Sequence, residues 1–282
     1  MAFAFPPLFQ EQVLLLVAKR TMLREFTSDI TTLVVGSSHG DFGFDPSLVP
    51  GSFNLCSRSQ DLKHSYYLYS KLSEQNLNLS TLVIFYSIFS PGWLLESSPS
   101  EGEIAVAINE LFNLGLEYES HQLASLNAAV AGKLGEMSVH LPGGAGFLPD
   151  HGKGFMPATV TAEKRAADHM RFNTRRDAVP YLDMMIDLAS RNGHEVVIVI
   201  PPARRDFRLQ VGKGQELFDT LLRYTERDRE VQILDFYNRD DFDDAFFGDF
   251  DHLVPTGEGT GLLSRSVAEA LKPSRALGRL AV

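Results

Sequence analysis

Two short segments at opposite ends of the chain carry the residue types of an activated hydroxyl nucleophile. The apolar run Thr32-Leu33-Val34-Val35 stops at Gly36-Ser37-Ser38-His39-Gly40, a serine-bearing turn flanked by glycines. Near the other end, Asp249-Phe250-Asp251-His252-Leu253 leads into Gly257 and a last amphipathic segment. A serine hydroxyl is a weak nucleophile until a base takes its proton. A histidine does so when a carboxylate fixes its tautomer and stabilises the imidazolium. Asp249 and His252 are three positions apart, which on one turn of helix puts both on the same side. Ser38 as nucleophile (Ser37 is the alternative), His252 as base and Asp249 as orienting carboxylate would together perform ester chemistry.

Other residues could line the same site. His39 follows the candidate nucleophile directly. Pro201-Pro202-Ala203-Arg204-Arg205 follows a later apolar run, and Arg204 and Arg205 could hold a phosphate, a carboxylate or an acidic sugar. The acidic stretch from Asp240 to Asp251 lacks the oxygen spacing, turn glycine and late glutamate of a calcium loop, so a solvated face is expected. Gly146 to Gly152-Lys153 has the wrong length for a phosphate loop and follows no strand. The remaining histidines show no ligand spacing and Cys56 is the only cysteine, so neither a metal nor a cofactor is expected. Cys56, beside an apolar run, reads as an inert core thiol.

Positioning those groups is the task of the elements between them. Five apolar runs rich in β-branched residues read as buried strands: Thr32–Val35, Ser52–Leu55, Thr81–Tyr86, Glu195–Ile200 and Val231–Phe236. Helical patterns occupy Gln10–Phe26, Gln60–Gln75, Glu103–Leu114, Ser120–Gly135, Ala162–Arg171, Tyr181–Arg191, Glu216–Arg227 and Gly257–Leu271. Strands alternating with helices imply an α/β fold, a three-layer α/β/α sandwich of flavodoxin-like type around a five-stranded, mainly parallel sheet. The chain, residues 1–282, reads as a single domain, with residues 88–179 as a helical and glycine-rich insertion serving as lid or wall. In such sheets ligands bind beyond the carboxyl ends of the strands, where strand order reverses. Ser38 follows the first strand and His252 the fifth, so the fold can bring them together; Ser38 Oγ is expected within hydrogen-bond reach of His252 Nε2.

On these residues the chain resembles the SGNH/GDSL hydrolase superfamily, in which a Gly-Asp-Ser block follows the first strand and an Asp-x-x-His block precedes the last helix. The counterparts here are Gly36-Ser37-Ser38 and Asp249-Phe250-Asp251-His252. Asn54 to Leu62 looks like the second block, with Ser59 where the family has an oxyanion-donating glycine. Ser37 replaces the first-block aspartate. The third block's asparagine has no counterpart in Phe85-Tyr86-Ser87-Ile88-Phe89-Ser90-Pro91-Gly92, where Ser87 or Ser90 could substitute. Gly-Ser-Ser-His-Gly is similar to a divergent branch found among bacterial surface-polysaccharide assembly proteins. The resemblance implies catalysis by Ser38, His252 and Asp249, with Ser59, Ser87, Ser90, Ser37 and His39 as oxyanion or pocket residues.

Composition narrows the partners. A net charge of −10 argues against a general nucleic-acid binder. The apolar run Val13–Ala18 is too short to span a bilayer and lacks the flanks of a signal peptide, so stable membrane insertion is not expected and a cytoplasmic location is. The leading expectation is an O-acyl esterase or O-acyltransferase acting on an acylated carbohydrate or small ester, in polysaccharide or glycolipid assembly. The alternatives are a non-catalytic glycan- or phosphate-binding assembly protein on the same fold, and a glycan-modifying transferase using His252 purely as a base.

Overall fold

The computed structural model describes residues 5–75, 78–150, 154–212, 217–225 and 231–272. Strands β1 (Thr32–Gly36), β2 (Ser52–Asn54), β3 (Thr81–Phe85), β4 (Glu195–Ile200) and β5 (Val231–Asp235) form one all-parallel sheet in the order β2-β1-β3-β4-β5. The apolar runs of β1, β3 and β4 are continuous because both of their faces are covered. Leu33, Val35, Leu82, Ile84, Val196 and Ile198 enter the larger core, while Val34, Val83, Phe85, Val197 and Val199 enter a second one. That alternation is the period-two geometry of a strand buried on both sides.

Helices α1 (Pro7–Phe26), α2 (Ser38–Gly43), α3 (Leu62–Gln75), α4 (Gly102–Phe112), α5 (His121–Val130), α6 (Ala162–Asn173), α7 (Val179–Asn192), α8 (Arg205–Val211), α9 (Asp219–Thr225) and α10 (Glu258–Ala270) follow in chain order. The larger core is filled by α1, α3, α4 and α7, and the second is closed by Leu263 and Val267 of α10. Two helices end on left-handed residues, α4 at Asn113 and α7 at Gly193. The helix expected over Ser120–Gly135 is shorter, ending before Gly132, whose φ is +72°. Neither α2 nor α8 was expected, because segments of six and seven residues are too short to show a helical period. Of the helix expected over Glu216–Arg227, residues 216, 226 and 227 lie outside the described residues, as do residues 151–153 of the glycine-rich loop. No described helix is long and apolar enough to cross a membrane.

One ion pair ties the first helix to the carboxyl edge of the sheet. Lys19 of α1 is 2 % exposed, and its Nζ lies 2.8 Å from Asp41 Oδ1 of α2. The same ammonium donates to the carbonyls of Asn54 (3.2 Å) and Cys56 (2.7 Å), just beyond β2. Two hydrogen-bonded carbonyls and an opposite charge surround the ammonium, the condition under which a buried charge is tolerated. Lys19→Met takes this cation away from the buried Asp41 carboxylate. We expect a loss of about 3–5 kcal/mol in urea unfolding, and an unchanged midpoint would show that the pair holds nothing together.

Candidate active site

The site begins where β1 runs out. Gly36 has φ +139°, and a Cβ there would lie 2.8 Å from the Phe85 carbonyl oxygen. Only glycine lets the chain leave β1 against its neighbour in this conformation. The expected turn is instead the start of α2, with Ser37 in extended conformation before it and Ser38 as its first residue. Gly40 sits directly on Cys56 Sγ, and a Cβ added to it would lie 2.9 Å from the Phe85 ring, so α2 lies flat on the sheet edge. Asn54 holds the far end of the helix, donating Nδ2 to the carbonyls of Gly40 (2.9 Å) and Phe44 (2.8 Å) while accepting from Cys56 N–H (3.0 Å). Strand order reverses between β1 and β3, so Ser38 stands at the switch point of the sheet.

Asp249–His252 is not a turn of helix. Asp249 Oδ1 accepts from the backbone N–H of Asp251 (3.1 Å) and His252 (2.9 Å), and Phe247 and Leu253 pair as an isolated antiparallel bridge. A carboxylate that bonds its own following backbone offers an alternative to the helical ladder, and here that alternative wins. The expected proximity of Asp249 and His252 persists for this different reason. His252 Nδ1 lies 3.0 and 2.9 Å from the two Asp249 oxygens, and Met156 N–H donates to Oδ2 at 3.0 Å. Ser38 Oγ is 2.8 Å from His252 Nε2. An ionised Asp249 only accepts, so Nδ1 carries the proton and Nε2 presents its lone pair to Ser38. Burial opposes ionisation of Asp249, but the hydrogen bond and charge of His252 outweigh it and hold the carboxyl below its usual range. The imidazole packs against the rings of His39 (stacked, centroids 4.9 Å apart) and Phe42 (tilted, 4.7 Å). Ser38 and both of these rings thus come from one six-residue helix.

Behind His252 lies a second charged layer. Asp251 is buried, and it accepts from Arg165 Nε (3.1 Å) and Nη2 (3.0 Å) and from His39 Nε2 (3.1 Å). His169 Nε2 lies 3.5 Å away. Burial opposes the Asp251 charge, yet the Arg165 guanidinium prevails and holds the carboxyl well below the usual range. Burial pushes His39 down and His169 further down, so both are neutral. His39 Nδ1 then accepts from Ser87 Oγ (2.8 Å) and Ser37 Oγ (3.1 Å). His39, Asp251 and His252 could offer ligand atoms within 4.8 Å of one another. Both Asp251 oxygens serve a permanent cation and His252 Nδ1 serves Asp249, so a divalent ion would have to displace Arg165.

An open cavity of about 720 Å³ lies over Ser38 and His252. Of the residues expected there, Ser59 reaches it, in the left-handed region (φ +58°), with Oγ donating to Glu101 Oε2 at 2.6 Å and its carbonyl accepting from Trp93 Nε1 at 2.7 Å. Ser37, Ser87 and His39 stand instead in the layer behind, and Ser90 Oγ accepts the Ser87 N–H at 2.8 Å. Arg204 and Arg205 do not line the cavity. Arg204 is consumed by Asp206 and the face of Phe250, and Arg205 is exposed at the start of α8. The expected solvated acidic face divides: Asp240, Asp241, Asp243 and Asp244 are exposed, whereas Asp249 and Asp251 are buried. Cys56 is buried.

Sequence reading missed most of the cavity wall. Arg165, Asp168, His169 and Phe172 all face it from α6, at the i, i+3, i+4, i+7 spacing of a helical stripe, a signal present in the sequence. Arg58, Phe89, Trp93 and Glu101 come from irregular chain and gave no periodic signal.

The buried imidazoles set a pH dependence of stability. The folded-state values of His39 and His169 lie below the ordinary value of about 6.5. Below about pH 6.5 the unfolded chain therefore binds protons that the fold excludes, so their contribution is full above that pH and declines beneath it. The depressed Asp251 acts in the same direction at lower pH, below about 3.9. We expect the melting temperature to fall from pH 7.5 to 5.5 and to fall less in His169→Gln. A flat profile in the wild type would contradict neutral burial.

No protein-family model matches the chain, nor does any curated protein. What stands is an α/β fold whose five-stranded parallel sheet, in the order 2-1-3-4-5, carries a serine, a histidine and an aspartate in hydrogen-bonded sequence at its carboxyl edge.

Proposed function

We propose that this chain is a serine ester enzyme of SGNH/GDSL type, an O-acyl esterase or O-acyltransferase acting on an acylated carbohydrate. The observation that carries the reading is the Ser38–His252–Asp249 hydrogen-bond chain opening into a cavity at the switch point of the sheet. Ser38 Oγ attacks the acyl carbon as His252 Nε2 takes its proton, and Asp249 stabilises the imidazolium. Backbone N–H groups at Ser38 and Ser59 are the proposed oxyanion donors. The left-handed backbone of Ser59 is the conformation in which glycine is favoured, in keeping with the second-block position it resembles. His252 then returns its proton to the leaving alcohol, and the acyl-enzyme is released to water or to an acceptor hydroxyl. Water exclusion from the cavity decides between hydrolysis and transfer. Phe89, Trp93 and Phe172 offer flat apolar faces, and Glu101 and Asp168 offer hydrogen-bond acceptors, a combination that suits a sugar ring. The setting in polysaccharide or glycolipid assembly rests on the family resemblance.

One observation favours a second reading, a non-catalytic glycan- or phosphate-binding assembly protein. The hydroxyls of Ser87 and Ser90 are turned inward, so neither replaces the third-block asparagine as an oxyanion donor. A missing donor costs roughly 10²–10³ in rate.

Hydrolysis of p-nitrophenyl acetate and labelling by a fluorophosphonate separate the two. We expect Ser38→Ala to abolish labelling, and Ser38→Ala and Asp249→Asn each to lower kcat/KM by about 10⁴ or more. A wild type that neither turns over esters nor takes the label points to the binding protein.

A further inference from the structure

We propose that Arg58 and Arg165 form an anion-binding subsite beside Ser38, so that the molecule bound there carries a carboxylate or phosphate group. The inference rests on reading the Ser38 cavity as the substrate site, and it goes beyond an acylated carbohydrate in assigning that substrate a charge.

The chain holds 36 acidic against 26 basic residues, and among the described residues seven arginines pair with a carboxylate. Arg175 pairs with Asp177, Arg176 with Asp219, Arg223 with Asp183 and Arg239 with Asp241. Arg58 does not. It is half-buried at the cavity wall, and among the described residues its guanidinium reaches only the Gly154 carbonyl, at 3.5 Å. Arg165 is held differently but to similar effect. Its Nε and Nη2 form a bidentate pair with Asp251, which fixes the plane of the guanidinium, and among the described residues Nη1 takes no partner. A guanidinium has five N–H bonds in a rigid fork, so the pair with Asp251 leaves donors to spare on a side chain that lines the cavity.

No hydrogen bond or ion pair among the described residues joins the carboxylates of Asp168 and Glu101, on the same walls, to these donors. Asp168 pairs with Lys164 at 3.0 Å, and Glu101 accepts the Ser59 hydroxyl at 2.6 Å. Two guanidinium groups with unused N–H bonds, one of them pre-oriented, are the donor set that recognises planar carboxylates and phosphates in charge-assisted geometry. A protein of net charge −10 repels anions at long range, so a local pair of cations is what an anionic ligand would require.

Two measurements test the subsite. Trp93 is the only tryptophan and lines the cavity, so its fluorescence reports occupancy without any turnover. Wild type is titrated with glucuronate, glucose 6-phosphate and glucose at low salt. We expect the acidic sugars to act at concentrations at least tenfold lower than glucose, with the carboxylate and phosphate arms showing which anion fits. Arg58→Gln, a change at a half-buried side chain, should remove that preference. Arg165→Gln should weaken it too, but Arg58→Gln is decisive because it leaves Asp251 paired. The second arm compares kcat/KM for 4-acetoxybenzoate and its neutral methyl ester, expecting a ratio that favours the anion and falls toward unity in Arg58→Gln. Equal action of acidic and neutral sugars, no fluorescence response to any of the three, or a preference unchanged in Arg58→Gln overturns the proposal. If neither ester is turned over while the acidic sugars still bind preferentially, the ester-enzyme reading fails and the anion subsite stands.

Discussion

The arrangement of this site depends on how closely a six-residue helix approaches the end of the sheet. Gly40 puts backbone, rather than a side chain, against Cys56 and Phe85, and Gly36 lets the chain turn off β1 to get there. From that seat α2 presents Ser38 upward and His39 and Phe42 on either side of His252. Raising the helix by the thickness of a methyl group would move Ser38 and both rings that pack on His252 together. Interiors packed to crystal-like density do not absorb such shifts without strain elsewhere. The buried pair of Lys19 and Asp41 and the three hydrogen bonds of Asn54 hold the helix in the same place.

The second organising element is charge removed from water. Asp251 carries no role in the chain from Asp249 to Ser38, yet it gathers Arg165, His39 and His169 around one carboxylate directly behind the imidazole. Arg165 belongs to α6, in the long segment between β3 and β4, whereas Asp251 belongs to the loop that carries the base. That bidentate pair therefore fastens the cavity wall to the loop that carries Asp249 and His252. The wall moves only if a buried carboxylate loses its cation, a costly event in an interior of low dielectric.

The parallel sheet was legible because runs of β-branched residues alternate with helical patterns, and the central runs are continuous as burial on both faces demands. The meeting of Ser38 and His252 was legible for a similar reason: a residue at the exit of the first strand and one before the last helix fall on one edge of a doubly wound sheet. The local reason for the proximity of Asp249 and His252 was not. A carboxylate that caps its own backbone has the same spacing in sequence as one on a helical turn, and only hydrogen-bond geometry tells them apart. Arg204 and Arg205 looked suitable because they follow a strand, but Asp206, two residues on, satisfies Arg204 before any ligand could. Arg165 and His169 were readable as a stripe on α6, though nothing local marks which face of a helix borders a site roughly 80 residues further on. Short segments such as α2 lie below the length at which periodicity carries information.

The contact between Ser38 and His252 joins residues 214 positions apart, and the clasp between Arg165 and Asp251 closes 86. Contacts of such separation form late, since the chain between them must first be ordered. During synthesis the helix that carries Ser38 leaves the ribosome long before His252 exists, and domains take shape from the N-terminal side as they emerge. Ser38 spends that interval as an ordinary hydroxyl beside a half-built sheet. The pairing of Ser38 with His252 is thus one of the last contacts the fold can make, since residue 252 must first be synthesised and the chain between them ordered.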